Sequence, residues 1–185
     1  MIDLVFTKDS IYLKDNPEEF VMMDWERSVM KKHAEIVCRK GGDILEIGFG
    51  MGISATYIQE FGCNSHTIVE YHPVVYENLL EWASDKPNVI PIFGNWEIKS
   101  PYIKKRSYDG IFYDPYNFTQ TNSFRNLVID VIKPGGVFSY FEAMGKDVFK
   151  FGPKLKLEEI YIEEEIPKNL YHNDKRCLVP YVIFD

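Results

Sequence analysis

No apolar run in this 185-residue chain approaches the roughly 20 residues that a membrane-spanning helix needs, and no basic stretch precedes an apolar core near its N-terminus. Both absences argue against a membrane partner and against export, so a cytoplasmic location is expected. Cysteine is scarce as well. Cys38, Cys63 and Cys177 are odd in number and widely separated, without metal-ligand spacing, which predicts reduced thiols and no metal site. Positive charge is in deficit, with 21 Lys and Arg against 28 Asp and Glu and a formal net charge of −7. Phosphate binding relies on Lys and Arg to displace counterions, so this balance weighs against a nucleic-acid partner and favours a cationic or neutral one. Repeats and low-complexity segments are lacking, and nothing in the sequence sets an oligomeric state.

The chain does have 45% hydrophobic residues, enough at this length for one good core, which predicts a single domain over residues 1–185. Its organising stretch is Asp43 to Gly52, D-I-L-E-I-G-F-G-M-G. The run Ile44 to Ile47 suits a buried parallel strand, and it breaks at once into Gly48, Gly50 and Gly52. Glycines at those positions permit turn conformations and let a ligand approach main-chain N–H groups, while a helix after Ile53 aims its N-terminus at the same place. A second strand-like run, Thr67 to Val69, ends at Glu70, at about the spacing where nucleotide-binding folds hold ribose hydroxyls on an acid. The third glycine comes one residue too early for a dinucleotide fingerprint, which makes NAD the minor alternative. The form E-I-G-F-G-M-G instead resembles motif I of S-adenosylmethionine-dependent methyltransferases.

Residues 1–16 hold two short apolar clusters, Ile2 to Phe6 and Ile11 to Leu13, expected to lie across the domain as a flap. Pro17, Glu18 and Glu19 predict a helix over residues 17–40, stopped by Gly41-Gly42. Met22, Val29, Met30 and Val37 share its apolar stripe, and Glu26 interrupts that stripe. A carboxylate there must be paired, protonated or turned to a ligand, because desolvating an unpaired charge is costly. His33 on the same side reads as a hydrogen-bonded core residue. Helices follow from Ser54 to Phe61 and from Pro73 through Trp82, and a strand from Val89 to Phe93 ends at Gly94-Asn95-Trp96. Tyr71 and Trp96 offer flat faces that suit either a purine or core packing, and Asn95 offers amide hydrogen bonds. Lys104-Lys105-Arg106 reads as a solvated loop.

A fourth strand leads to Asp114, which should share one rim with Glu70 and the glycine loop, since open α/β sheets bind ligands beyond the carboxyl ends of their strands. Thr119 to Lys133 reads as a helix, Pro134 to Gly136 as a turn and Val137 to Phe141 as a fifth strand. Leu155 to Ile166 and Leu178 to Phe184 read as a terminal antiparallel hairpin. The expected class is α/β, a Rossmann-like doubly wound, mostly parallel seven-stranded sheet with a C-terminal antiparallel hairpin.

The segments V-M-M-D-W-E-R-S-V-M (Val21 to Met30), L-E-I-G-F-G-M-G, E-Y-H-P (Glu70 to Pro73), G-N-W-E (Gly94 to Glu97) and F-Y-D-P-Y (Phe112 to Tyr116) together resemble guanidinoacetate methyltransferases. They resemble the fungal δ-N-arginine methyltransferases more closely still. The resemblance implies S-adenosyl-L-methionine as cofactor, contacted by Met22, Gly48, Phe49, Gly50, Met51, Gly52 and Ile53. It places Glu70 on the ribose and Gly94 and Asn95 by the adenine; Tyr71, next to Glu70, and Asp114 are further candidates for cofactor contact. Glu26 and Asp114 match the two carboxylates that hold a guanidinium, and Ala143 and Met144 fall where backbone groups help to bind it. The implied partner is a small guanidino compound or an arginine-containing peptide. Departures from the family include a shortened N-terminal segment, Pro115 where the family has Thr, and an abbreviated region after Gly145. Two other readings stay open: an amino-methyltransferase acting on a nucleic-acid base through Asp114-Pro115-Tyr116, and a non-catalytic cofactor-binding scaffold.

Overall fold

The computed structural model describes residues 2–105, 107–116, 121–142, 144–168 and 172–185. The chain opens with a three-stranded antiparallel sheet made of β1 (Leu4–Phe6), β2 (Ser10–Leu13) and β3 (Asn16–Met23). One turn of 3-10 helix, Asp24–Glu26, leads into α1 (Arg27–Val37). Then β4 (Asp43–Ile47), α2 (Ile53–Phe61), β5 (Ser65–Glu70), α3 (Pro73–Ala83) and β6 (Val89–Phe93) alternate. They are followed by α4 (Trp96–Ile103), β7 (Tyr108–Tyr113), α5 (Thr121–Val131), β8 (Ile132–Tyr140), β9 (Lys156–Tyr161) and β10 (Arg176–Ile183). The large sheet has seven strands in the order β6-β5-β4-β7-β8-β10-β9. Its first four neighbour pairs are parallel, and β10 runs antiparallel to both β8 and β9. This is the expected doubly wound sheet with its terminal hairpin. Strand order reverses between β4 and β7, so the crevice at their carboxyl ends is the place where such sheets open to a ligand.

Alternation along the strands sorts side chains to two faces. Ile44, Ile68 and Phe112 pack toward α1, α2 and α3 with Met30, Ala34, Ile58 and Leu79. Leu45, Ile47, Tyr113 and Phe138 pack toward α5 with Phe124, Leu127 and Val128. Glu46, His66, Glu70, Asp114 and Ser139 fall in the register of the first face, where the polar residues of the sheet interior are concentrated. His33 on α1 meets that face as a core residue. Its Nδ1 lies 2.7 Å from Ser139 Oγ, whose hydroxyl donates to the Pro180 carbonyl, so His33 donates and Ser139 accepts.

Two expectations are corrected. The helix predicted over residues 17–40 begins only at Arg27, and Asn16–Met23 pairs with β2 through Ser10↔Met23 and Ile11↔Met22. Pro17 is tolerated there because β3 is an edge strand, where a missing N–H breaks no ladder bond. The solvated loop expected at Lys104 and Lys105 is an exposed turn, and it follows a helix that the sequence reading did not mark, α4, which Asn95 caps by accepting the Glu97 N–H at 2.8 Å. Pro134-Gly135-Gly136 does not end a helix in a free turn but lies within β8, where the pairing with β7 shifts register between Tyr108 and Gly110. The start of the helix expected at Thr119 and the substrate residue Ala143 lie outside the described residues. None of the helices among the described residues is long and apolar enough to cross a membrane.

Candidate active site

A cavity of about 290 Å3 opens at the carboxyl ends of β4, β5, β6 and β7. Its wall contains Met22, Gly48, Phe49, Gly50, Glu70, Tyr71, Gly94, Asn95 and Asp114, nine of the residues expected from sequence to contact a cofactor. The glycine loop has the geometry that its residue types anticipate. Gly48, Gly50 and Gly52 have φ of 91°, 54° and 71°, a region costly for residues with a Cβ. Gly48 also lets β4 and β7 meet: a Cβ there would collide with the Asp114 carbonyl oxygen.

Glu70 ends β5 with 6% of its surface exposed. Its Oε2 accepts the Phe49 N–H at 2.9 Å and its Oε1 accepts the His72 N–H at 2.7 Å, so the carboxylate ties the glycine loop to its own strand end. Burial pushes its pKa up, and the His72 and Phe49 N–H groups pull against that shift. Glu70 also lines the cavity, where a carboxylate can accept from the hydroxyls of a ribose. An acid held rigidly beside a glycine cradle fits S-adenosylmethionine, and the groups that would hold it are Glu70 and the loop from Gly48 to Gly50.

Asp114 follows β7, and its N–H donates to the Ile47 carbonyl at 2.9 Å, which locks it beside the glycine loop. Burial raises its pKa well above the usual carboxylate range, and the charges of Glu26 and then Glu46 add to that rise. Glu26 itself is 3% exposed. Its Oε1 accepts the Met23 N–H at 2.7 Å at the entry to α1. Glu26 therefore stands behind the cavity wall rather than on it, while its charge reaches Asp114.

Other expected residues sit elsewhere. Gly52 closes the loop by donating to the Phe49 carbonyl at 2.8 Å, Ile53 is buried against α1, and the Met51 N–H meets Met22 Sδ at 3.2 Å. These three shape the loop without lining the cavity. Met144 is 64% exposed and bridges to Leu178, away from the wall. Trp96 serves both readings, since it lines the cavity and packs edge-on against Phe124. The sequence reading missed Ile2, Leu4 and Val21, which bring the N-terminal sheet over the cavity, and His72, whose Nε2 lies 2.9 Å from the Ile2 carbonyl. Strands so short carry no pattern that would reveal what they cover. Tyr116, noted only for a base-modifying role, lines the cavity and donates its hydroxyl to Glu19 of β3.

The order of the sheet and the position of this cavity define a class I S-adenosylmethionine-dependent methyltransferase fold. Solved structures of that shape include spermidine synthase from Thermotoga maritima, with a TM-score of 0.66 at 15% identity, covering 98% of this chain and 68% of that one. A putative SAM-dependent methyltransferase from Streptococcus mutans gives 0.63 at 14%, covering 98% and 55%. At such identities the likeness concerns the fold alone. The family profile described as guanidinoacetate N-methyltransferase matches residues 14–172, and the chain belongs to that family. Among curated relatives, protein arginine N-methyltransferase 2 of Yarrowia lipolytica is 34% identical over 156 residues, 78% of this chain and 33% of that protein. Its namesake in Candida glabrata is 36% identical over 155 residues, covering 78% and 37%. The namesake in Saccharomyces cerevisiae is 29% identical over 213 residues, covering 98% and 52%. This chain thus spans between a third and about half of the length of these relatives.

Proposed function

We propose that residues 1–185 act as one catalytic domain that methylates a guanidino nitrogen, with S-adenosyl-L-methionine as donor. The observation that carries this reading is Asp114: a carboxylate on the cavity wall, beside the glycine loop and Glu70, with a second buried carboxylate, Glu26, close enough to load its charge. The charge of Glu26 acting on Asp114 makes this end of the cavity negative, which suits a planar cation held against Asp114. When bound, S-adenosylmethionine supplies a methyl group already activated on a sulfonium sulfur.

A guanidinium is a poor nucleophile because its nitrogens share their lone pairs with the cation. Asp114 would fix the plane of the group, polarise an N–H bond and accept that proton as the nitrogen becomes the nucleophile, while the bound sulfonium would supply the methyl carbon and keep the electron pair of its broken bond. The raised pKa suits this task, since a weakly acidic carboxyl is the better proton acceptor. Glu26 stabilises the cation from behind the wall, and its own hydrogen bond to Met23 holds it there.

The reading on a nucleic-acid base is disfavoured by the net charge of −7. The family and the relatives' names support an arginine or another guanidine as acceptor. The test offers labelled methyl donor to a panel of small guanidines, arginine peptides and nucleic acid, with Glu26→Gln, Asp114→Asn and the double variant alongside. Turnover on a guanidine should fall by about 100-fold or more in each single variant, non-additively in the double, with donor affinity nearly unchanged. Near-normal turnover in both single variants would sink the assignment.

A further inference from the structure

The wall of the cavity carries the acids Glu70, Glu97 and Asp114 and, among the described residues, no lysine or arginine. His72, the basic side chain on that wall, belongs to the Glu70 end: its N–H donates to Glu70, and its ring Nε2 lies 2.9 Å from the Ile2 carbonyl. Lys99 comes near, since a Cβ on Gly94 would meet its Cε, but its ammonium stands over the exposed ring of Tyr102, 5.7 Å from the ring centre. In the sequence, residues 117–120, which follow Tyr116, are Asn-Phe-Thr-Gln and carry no charge. An acceptor held by Asp114 thus meets acids, and no lysine or arginine is placed on the wall to pair with an anionic group that it brings along.

One more acid is fastened to this wall by a residue for which the proposed chemistry has no use. Tyr116, two residues after Asp114, lines the cavity and donates its hydroxyl to Oε1 of Glu19 on β3. The other oxygen of Glu19 accepts the Asn16 side-chain amide at 3.1 Å. Both of these partners are neutral, so they fix the carboxylate in place and leave its charge uncompensated. Burial pushes the Tyr116 hydroxyl up to about 12, helped by the hydrogen bond and charge of Glu19 and then by Tyr71, so it stays a donor at any working pH. Tyr71 lines the cavity as well, so the wall that holds Asp114 also carries two phenol rings, one of them bonded to a half-buried carboxylate.

We propose that Glu19, held by Tyr116, is a specificity-determining residue that selects the tail of the acceptor: a guanidine ending in a positively charged amine is taken, and one ending in a carboxylate is refused. The inference rests on the reading of the cavity as the site of a guanidino methyltransferase. With the guanidinium against Asp114, a short tail stays within the field of Glu19, which attracts a cation and repels an anion. The ring faces of Tyr71 and Tyr116 add to the preference, because an aromatic face attracts an ammonium. A carboxylate tail would instead lose water among acids without gaining a cationic partner, which costs binding.

The test uses two acceptors matched in length, aminobutylguanidine and guanidinobutanoate, with the neutral N-acetylarginine amide as reference. Their binding to the protein saturated with S-adenosylhomocysteine is measured by calorimetry, and methyl transfer to each is followed in parallel. The parent should bind the amine roughly tenfold more tightly than the acid, with a margin that narrows in high salt. Glu19→Gln keeps an acceptor for the Tyr116 hydroxyl and should shrink the margin to about threefold or less, through KM and not kcat. Glu19→Lys should reverse it, and Glu19→Gln keeps the test decisive if that variant fails to fold. Equal binding of amine and acid by the parent, or the same margin in parent and Glu19→Gln, overturns the role of Glu19. Binding of the neutral reference alone overturns the selection of a cationic tail and leaves the guanidino reading standing. Binding of none of the three by a protein that holds S-adenosylhomocysteine overturns the guanidino reading itself.

Discussion

Glu70 is the residue on which the cofactor reading turns, because its two oxygens already hold the Phe49 and His72 N–H groups. Glu70→Ala should weaken donor and product together, by the ~1.5–3 kcal/mol of a hydrogen bond to a charged group, which calorimetry reads as roughly 10- to 100-fold. Tight NAD binding with no response to either ligand would contradict the assignment. Asp114 gives a prediction of opposite sense. Its folded-state pKa is raised, so the empty protein gains stability as pH falls below that raised value and loses it as pH rises through it. Asp114→Asn removes a carboxylate crowded by Glu26 and Glu46, and should raise the melting temperature of the empty protein at neutral pH while abolishing turnover. An unchanged or lower midpoint in thermal unfolding would show that the crowding costs the fold nothing. A guanidinium ligand reverses the argument, since it favours the ionised form; its affinity should increase as pH rises through the Asp114 pKa.

At the scale of the element, the loop after β4 is where backbone geometry and function coincide. Gly48 combines a φ of 91° with contact against the Asp114 carbonyl. Gly48→Ala should cost about 1–3 kcal/mol of stability, read by urea unfolding, and should weaken the donor at the same time because the loop cannot keep its place beside β7. The turn before α1 offers a separation of roles. Glu26→Gln keeps an acceptor for the Met23 N–H and relieves Asp114 of a neighbouring charge, so it should not destabilise the fold, whereas Glu26→Ala loses that cap at a cost of about 1 kcal/mol. Equal destabilisation by both variants would mean that the charge of Glu26, rather than its cap, supports the fold. The elements also show what periodicity can mislead about. Pro17-Glu18-Glu19 has the residue types of a helix start, and the stripe through Met22, Glu26 and Val29 continues it, yet the chain is strand up to Met23 because β2 is there to pair with it. That partner lies within a segment whose pairing no local pattern announces.

Over the whole molecule, the face of the sheet toward α1 and α2 carries its buried ionisable groups, and His33 shows the consequence for acid stability. Burial lowers its pKa from 6.5 to about 3. A depressed histidine contributes stability that is present above pH 6.5 and lost as pH falls toward 3, because the unfolded chain takes up a proton that the folded one refuses. Glu70 and Asp114 act in the opposite sense over the range between their ordinary and raised values. Replacing His33 with Gln should therefore flatten the decline of stability below pH 6.5, measured as urea midpoints against pH. An equally steep decline would place the acid sensitivity elsewhere.

Much of this protein is determined by its sequence alone. The buried β4 run, its glycines, Glu70 at the next strand end and Asp114 after β7 were legible because parallel strands are short, apolar and followed at once by what their carboxyl ends present. The alternation of strand and helix then leaves few topologies, and the cavity falls at the point where strand order reverses. Only the tertiary structure decided the rest. It turned residues 16–23 into an edge strand, placed Ile2, Leu4 and His72 around the cavity, set Glu26 behind its wall and joined Glu46 to His66. Each of these depends on a partner distant in the chain, a hairpin strand, a carbonyl or a charge. Local periodicity records which face of an element is apolar; it carries no information about which polar group will be brought against that face when the layers close.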